Sequence, residues 1–189
     1  MLHTTDAIVL SLQPHSDKAH ILHAYTRAGG RVNYMVYGLG KKHAIGMYSP
    51  LSIIQVTADH LSLRTAQLSY VAQRTTTDPY KRTIALFLSE ILYHVLRHPM
   101  EDEAMYDFIA GAIEELDKSD DTQNFHLSFL VGFAAKLGFA IPEESELLVL
   151  PQSRSERQQQ LRRLCDYFAE HVETWEEPKS LAILMEVFD

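Results

Sequence analysis

Ten histidines and a single cysteine are the first side chains in this sequence to examine for chemistry. His15, His20 and His23 cluster early, and His94 and His98 stand four apart, a spacing at which two imidazoles on one helix face can share a metal. However, His94 is followed by Val95, not by the glutamate of an H-E-x-x-H metalloprotease motif. The early cluster likewise lacks the cysteines of a zinc site. The bland reading, surface or hydrogen-bonded histidines, is preferred for all of them. Cys165 has no partner for a disulfide and lies on an apolar helical repeat, so it reads as a small core residue. There is no G-x-S-x-G elbow, no P-loop and no G-x-G-x-x-G turn. No enzyme, metal or cofactor is expected.

What remains is a set of cations with aromatic residues between them. Arg27 and Arg31 flank Gly29-Gly30, Lys41 and Lys42 sit in the loop after Gly38, and Tyr25, Tyr34, Tyr37 and Tyr48 interleave. Arg64 joins them from charge alone. Cations tracking phosphates beside rings that stack bases suit single-stranded nucleic acid. In the competing reading the tyrosines are core and the cations ordinary surface.

The charge distribution bears on that choice. The chain has 189 residues and a net charge of −8, which by itself argues against nucleic acid. Residues 1–78 nevertheless carry +3, with no glutamate before Glu90, and residues 79–189 carry −11. Phenylalanine divides in the same way, Phe87 being the first. Two modules with different partners are expected, residues 1–78 and residues 79–189. At 46% hydrophobic and 22% charged residues the chain suits a globular fold. No apolar run reaches the roughly 20 residues of a membrane span. With no basic and apolar leader at the N-terminus, a reducing cytoplasm is the expected location.

The elements that must position these residues change period midway. Asp6–Leu12, Ala19–Thr26, Arg31–Tyr37, Leu51–Thr57 and Leu61–Ala66 read as five strands. In the third, Val32, Tyr34 and Val36 share one face and Asn33, Met35 and Tyr37 the other. Pro14–Lys18 reads as a turn that ends the first strand, and the paired glycines at 29–30 supply the positive φ of a tight hairpin. Five short strands fit a small barrel, the OB-fold being the commonest of that count, although a flat antiparallel sheet has the same periodicity.

From Asp78-Pro79 onward, apolar residues recur every three or four positions. Asp78 and Asp102 read as N-caps, Gly138 as a helix stop, and Ser153 with Glu156 as a capping box. Five amphipathic helices in a small bundle are expected, with Ile141–Pro151 irregular and a short β-like stretch at Leu147–Leu150.

Several motifs in this order resemble the RecO family of bacterial recombination mediators. The opening D-A-I-V-L-S-L is followed by Pro14, Ser16 and Asp17 of a P-x-S-[ED] turn. Then come Thr26, the Gly30-Arg31 step, and the basic loop Gly38-Leu39-Gly40-Lys41-Lys42. A-A-K-L-G-F-A-I-P at 134–142 is similar to the family's L-G-[FY] helix end, and the terminal K-S-L-A-I-L-M-E-V-F-D to Bacteroidetes members. The resemblance implies an α+β protein, an N-terminal OB-fold barrel followed by an all-α C-terminal domain. It implies binding of single- and double-stranded DNA and annealing of complementary strands. RecR and the C-terminal tail of single-strand-binding protein are the implied partners in loading RecA, in a nucleoid-associated cytoplasmic setting. By position, Arg31, Lys41 and Lys42 match the basic part of the family motif. Many relatives carry a cysteine-rich zinc motif that one cysteine cannot supply, and beside the family pattern this chain lacks a stretch between Pro142 and Ser153. Around the third helix, Asn124, His126, Ser128 and Lys136 stand where relatives place basic residues toward the partner's tail. The rival is a non-enzymatic adaptor of the same architecture that binds only proteins.

Overall fold

The computed structural model describes residues 1–39 and 46–187. Five strands form a closed barrel: β1 (Leu2–Ser16), β2 (Ala19–Thr26), β3 (Gly30–Tyr37), β4 (Ile53–Asp59) and β5 (Ser62–Tyr70), in the order β1-β2-β3-β5-β4. β1 is long enough to serve two neighbours. Its first half pairs with β4, from Leu2 opposite Asp59 to Ile8 opposite Ile53, and Ala7 to Ser16 pair with β2. Closure comes from the parallel pairing of Met35 with Ser62, where the Met35 amide donates to the Leu61 carbonyl at 2.7 Å.

The alternation expected for β3 holds. Tyr34 and Val36 enter a core with Ala7, Val9, Leu22, Ala24, Ile54, Val56 and Ala58, while Tyr37 faces solvent. The bounds of β1, β4 and β5 differ most from expectation, β1 already starting at Leu2. β1 continues through Pro14, because the ladder slips between Pro14 and Ser16, and such an irregularity tolerates a residue without an N–H. β4 starts two residues late, after Leu51 turns the chain at φ 61°. β5 runs on to Tyr70.

Among the described residues the longer helices are α1 (Gln73–Thr77), α2 (Pro79–Val95), α3 (Glu103–Lys118), α4 (Phe125–Lys136), α5 (Arg154–His171) and α6 (Leu181–Val187). Five of these are the expected ones, and α1 is additional. Asp78 Oδ1 accepts from the Tyr80 and Lys81 amides, Asp102 Oδ1 accepts from Met105, and Ser153 and Glu156 form the reciprocal capping box. Gly138 ends α4 with φ 91°. The β-like stretch expected at 147–150 is instead a 3₁₀ turn, Glu146–Leu148, because the Ser145 side chain accepts the Leu147 amide and caps it.

The chain forms two compact units. The first contains Met1–Gln73 and Leu96–Glu114, so the first turns of α3 belong with the barrel; the second contains Arg74–Val95 and Glu115–Asp189. In the second unit α2 packs on α6, and α4 on α5. Its core is aromatic, with Phe133 stacked on Phe168 at 5.9 Å and Phe139 edge-on to Phe168 at 5.3 Å. It also buries a cation. Lys81, 1% exposed, donates from Nζ to the carbonyls of Asp117 and Ser119, both at 2.7 Å, and so satisfies the C-terminal end of α3.

Candidate nucleic-acid interface

The cations of the first unit lie at different parts of the barrel. Arg27 and Arg31 flank the β2–β3 turn. Only Gly30 of the glycine pair has positive φ, 62°. A Cβ there would run into the Met100 carbonyl oxygen, so this glycine is needed for the close approach of the 96–100 segment as well as for the turn. Thr26 completes the turn, its hydroxyl donating to the Gly30 carbonyl and accepting the Gly29 amide.

Both arginines contact the Leu96–Glu114 part of the first unit, Arg31 at its start and Arg27 on α3. The Arg31 amide donates to the His98 carbonyl at 3.3 Å, and its guanidinium to the Leu96 carbonyl at 3.4 Å and to Asn33 Oδ1 at 3.3 Å. Arg27 lies over the Tyr106 ring, 4.5 Å from its centroid, and its Nη2 donates to Asp107 Oδ1. The Asp107 carboxylate raises the Arg27 pKa further, so this cation is permanent. Burial and the Asp102 charge push the Tyr25 hydroxyl up to about 12, and burial raises that of Tyr106, so both phenols stay neutral.

Arg64 is elsewhere. β5 runs parallel to β3 with Ser62 beside Met35, so Arg64 lies beyond Met35, on the side away from Arg31. Arg31 and Met35 are themselves about 13 Å apart along the strand. Arg64 faces Asp59 at 3.7 Å, a carboxylate also engaged by the terminal amine at 2.8 Å. Expected to line one face with Arg27 and Arg31, Arg64 is not brought together with them. Lys41 and Lys42 lie outside the described residues.

The tyrosines also sort differently from the stacking reading. Tyr25, Tyr34 and Tyr48 are 3%, 1% and 7% exposed and serve as core, leaving Tyr37, at 63%, as the one of the four open to a base. Tyr37 pairs with Ala19, and the neighbouring Gly38 amide donates to the Lys18 carbonyl at 3.3 Å. Lys18 is exposed and has no ion-pair partner among the described residues. An open ring and an open cation therefore share one end of the barrel. Sequence reading missed Lys18 because it sat in a turn read only for its geometry.

In the second unit, two of the four residues named around the third helix, Asn124 and His126, serve the fold. His126 is 2% exposed, its pKa pushed down to about 3 by burial, and Asn124 donates to the Pro151 carbonyl. The nearby cations come from the first turn of α5. Arg154 and Arg157 line a narrow slot with Leu161, Leu184 and Met185. Both also line a wider polar cavity with Tyr80 and Asp120. Their i, i+3 spacing in a capped helix was the available signal.

Among the described residues no three His, Cys, Asp or Glu side chains are grouped to hold a metal ion. Cys165 is buried, which pushes its thiol up to about 12, the opposite of a thiolate ligand. No helix among the described residues is long and apolar enough to cross a membrane.

Comparison with known proteins agrees with this architecture. A family model described as Recombination protein O N terminal matches residues 1–80, and one described as Recombination protein O C terminal matches residues 76–148. A DNA repair protein RecO from Porphyromonas gingivalis is 36% identical over 155 residues, 76% of this chain and 63% of that protein. Another, from Flavobacterium johnsoniae, is 30% identical over 233 aligned positions that cover 97% of this chain and 98% of the relative. A third, from Phocaeicola vulgatus, is 29% identical over 240 positions and the whole of both chains. The chain thus spans under two thirds of the first relative and is shorter than the alignments with the other two.

Proposed function

The chain belongs to the RecO family of DNA repair and recombination proteins, and from that premise we propose that it is a recombination mediator that binds DNA through its barrel. RecO proteins are mediators and not enzymes, so the chemistry sought is binding and strand pairing. In this reading residues 1–78 are the DNA-binding domain, for single and double strands, and residues 79–189 the helical domain. The chain anneals complementary strands and, with RecR and the C-terminal tail of single-strand-binding protein, helps load RecA at gaps and breaks. The observation that carries the reading is the ordered match of both family models to a glutamate-free barrel and the helices that follow it.

Arg27, Arg31, Lys41, Lys42 and Arg64 remain the proposed phosphate contacts, and the open end of the barrel adds Lys18 and Tyr37. The slot at Arg154 and Arg157 suits the acidic tail of single-strand-binding protein, since cations and apolar walls meet there. The −11 charge of residues 79–189 disfavours DNA on the helical domain and suits protein partners.

The test is a fluorescence titration of labelled single-stranded DNA at several salt concentrations. Contacts with about three to five phosphates give a log–log slope of roughly −2 to −3.5. Lys41→Ala with Lys42→Ala flattens that slope and leaves the thermal midpoint in place. Absence of binding to single and double strands, with RecR still captured, would favour the adaptor that binds only proteins.

A further inference from the structure

Arg27 differs from the other proposed contacts in being both set in place and already answered. The Tyr106 ring beneath it is 2% exposed and cannot swing away, so the guanidinium rests on a fixed platform. The Arg27 amide is tied as well, donating to the Asp6 carbonyl at 3.0 Å. The carboxylate at its edge is of another kind. Asp107 is on the surface of α3 with its side chain 61% exposed, and that of Arg27 is 38% exposed. An ion pair this open is weak and is exchanged readily for another anion of the same geometry. A phosphate diester offers that geometry, two oxygens to the guanidinium fork.

Building on the proposed DNA binding, we propose that Asp107 is an internal competitor for Arg27. It occupies the guanidinium in the free protein, and a nucleic-acid phosphate displaces it, while Tyr106 keeps the cation in position. Displacement needs only a rotation of the Asp107 side chain, since Tyr106 and the backbone contacts of Arg27 do not involve that carboxylate. The contact is autoinhibitory. It lowers the affinity for isolated phosphates and favours strands long enough to engage several cations at once.

A double-mutant cycle on the full chain tests this, with labelled single-stranded DNA titrated at low salt against the parent, Asp107→Asn, Arg27→Gln and the pair. Asn is isosteric with Asp, and Gln keeps part of the stem over Tyr106; thermal midpoints check that all four fold. Asp107→Asn should bind about three- to five-fold more tightly, the range that release of an exposed ion pair allows. Glu101→Gln, which removes an equal charge from the same segment, measures the general electrostatic gain and should give less. In the Arg27→Gln background the Asp107→Asn gain should shrink to that of Glu101→Gln. An equal gain there, a gain no larger than that of Glu101→Gln, or no gain at all, would overturn the competition and leave the pair as a structural tie. Failure of the parent itself to bind DNA would overturn the functional reading, and this inference with it.

Discussion

Gly30 and Gly38 stand at the two ends of β3, both with positive φ, 62° and 73°, and in opposite surroundings. A side chain on Gly30 would meet the backbone of Met100, whereas one on Gly38 would meet nothing within 4 Å among the described residues. The residues around them follow suit. At the Gly30 end Arg27 and Arg31 are held by Asp107 and by the carbonyls of Leu96 and His98. At the Gly38 end Tyr37 is exposed and Lys18 stands without an ion-pair partner among the described residues. One end of the strand joins protein to protein and the other faces solvent. A cation next to a glycine can therefore serve either purpose, and only its neighbours decide which.

The largest test of that contrast is the pair of alanine substitutions at the glycines. Gly30→Ala should cost about 3 kcal/mol or more, backbone strain adding to displacement of the Met100 segment, and Gly38→Ala about 1–2 kcal/mol, strain alone. Urea midpoints read the difference, and equal losses would break the comparison. Next is Tyr37→Ala. Loss of one stacking ring should weaken single-strand binding about tenfold or more, while stability changes by no more than about 0.5 kcal/mol. A variant that loses stability but keeps its DNA affinity would make Tyr37 structural.

The arginines sharpen the contrast at smaller scale. Arg31→Ala leaves the Leu96 carbonyl and Asn33 Oδ1 with poorer partners and should cost about 1 kcal/mol, whereas Arg64→Ala should stay within about 0.5 kcal/mol. Changes in DNA binding by any variant with Arg31→Ala must therefore be read beside its thermal midpoint. The smallest expected effect is a pH dependence at the enclosed end. His23 is 8% exposed, with Nδ1 2.7 Å from Asn33 Oδ1, and burial is the chief cause holding its pKa below 6.5, with Arg31 adding to it. Its neutral form is the folded form, so the stability it contributes is full above about pH 6.5 and is lost on acidification through the lowered folded value. Between pH 7 and 5 the loss should be a fraction of the about 1.4 kcal/mol per unit that a full proton difference gives. Replacing His23 with Gln should flatten that part of the profile in urea titrations.

Much of the architecture was legible because it is written within a few residues. Alternation along β3, the Asp78 and Asp102 caps, the Ser153–Glu156 box and the Gly138 stop all depend on neighbours up to four positions away, and all were read from residue types. The change of period after residue 78 likewise separated barrel from helices. Local signals also misled. Pro14 looked like a strand end, yet a slip in the ladder absorbs it, and Leu147–Leu150 looked extended until the Ser145 cap turned it.

The site was less legible because it depends on distant partners. Sequence alone determined that residues 1–78 carry cations without glutamates, and that some of those cations lie beside glycines. Only the tertiary structure decided that Arg27 meets Asp107, 80 residues away, that Leu96–Glu114 joins the barrel, and that Tyr25, Tyr34 and Tyr48 point into cores while Tyr37 does not. The physical reason is range. Periodicity and capping act over one turn or one pleat, where the residue list is the neighbour list. Whether a charge is free or answered depends on which backbone passes it in space, and that is set by the closure of the barrel and the path of the chain after α2.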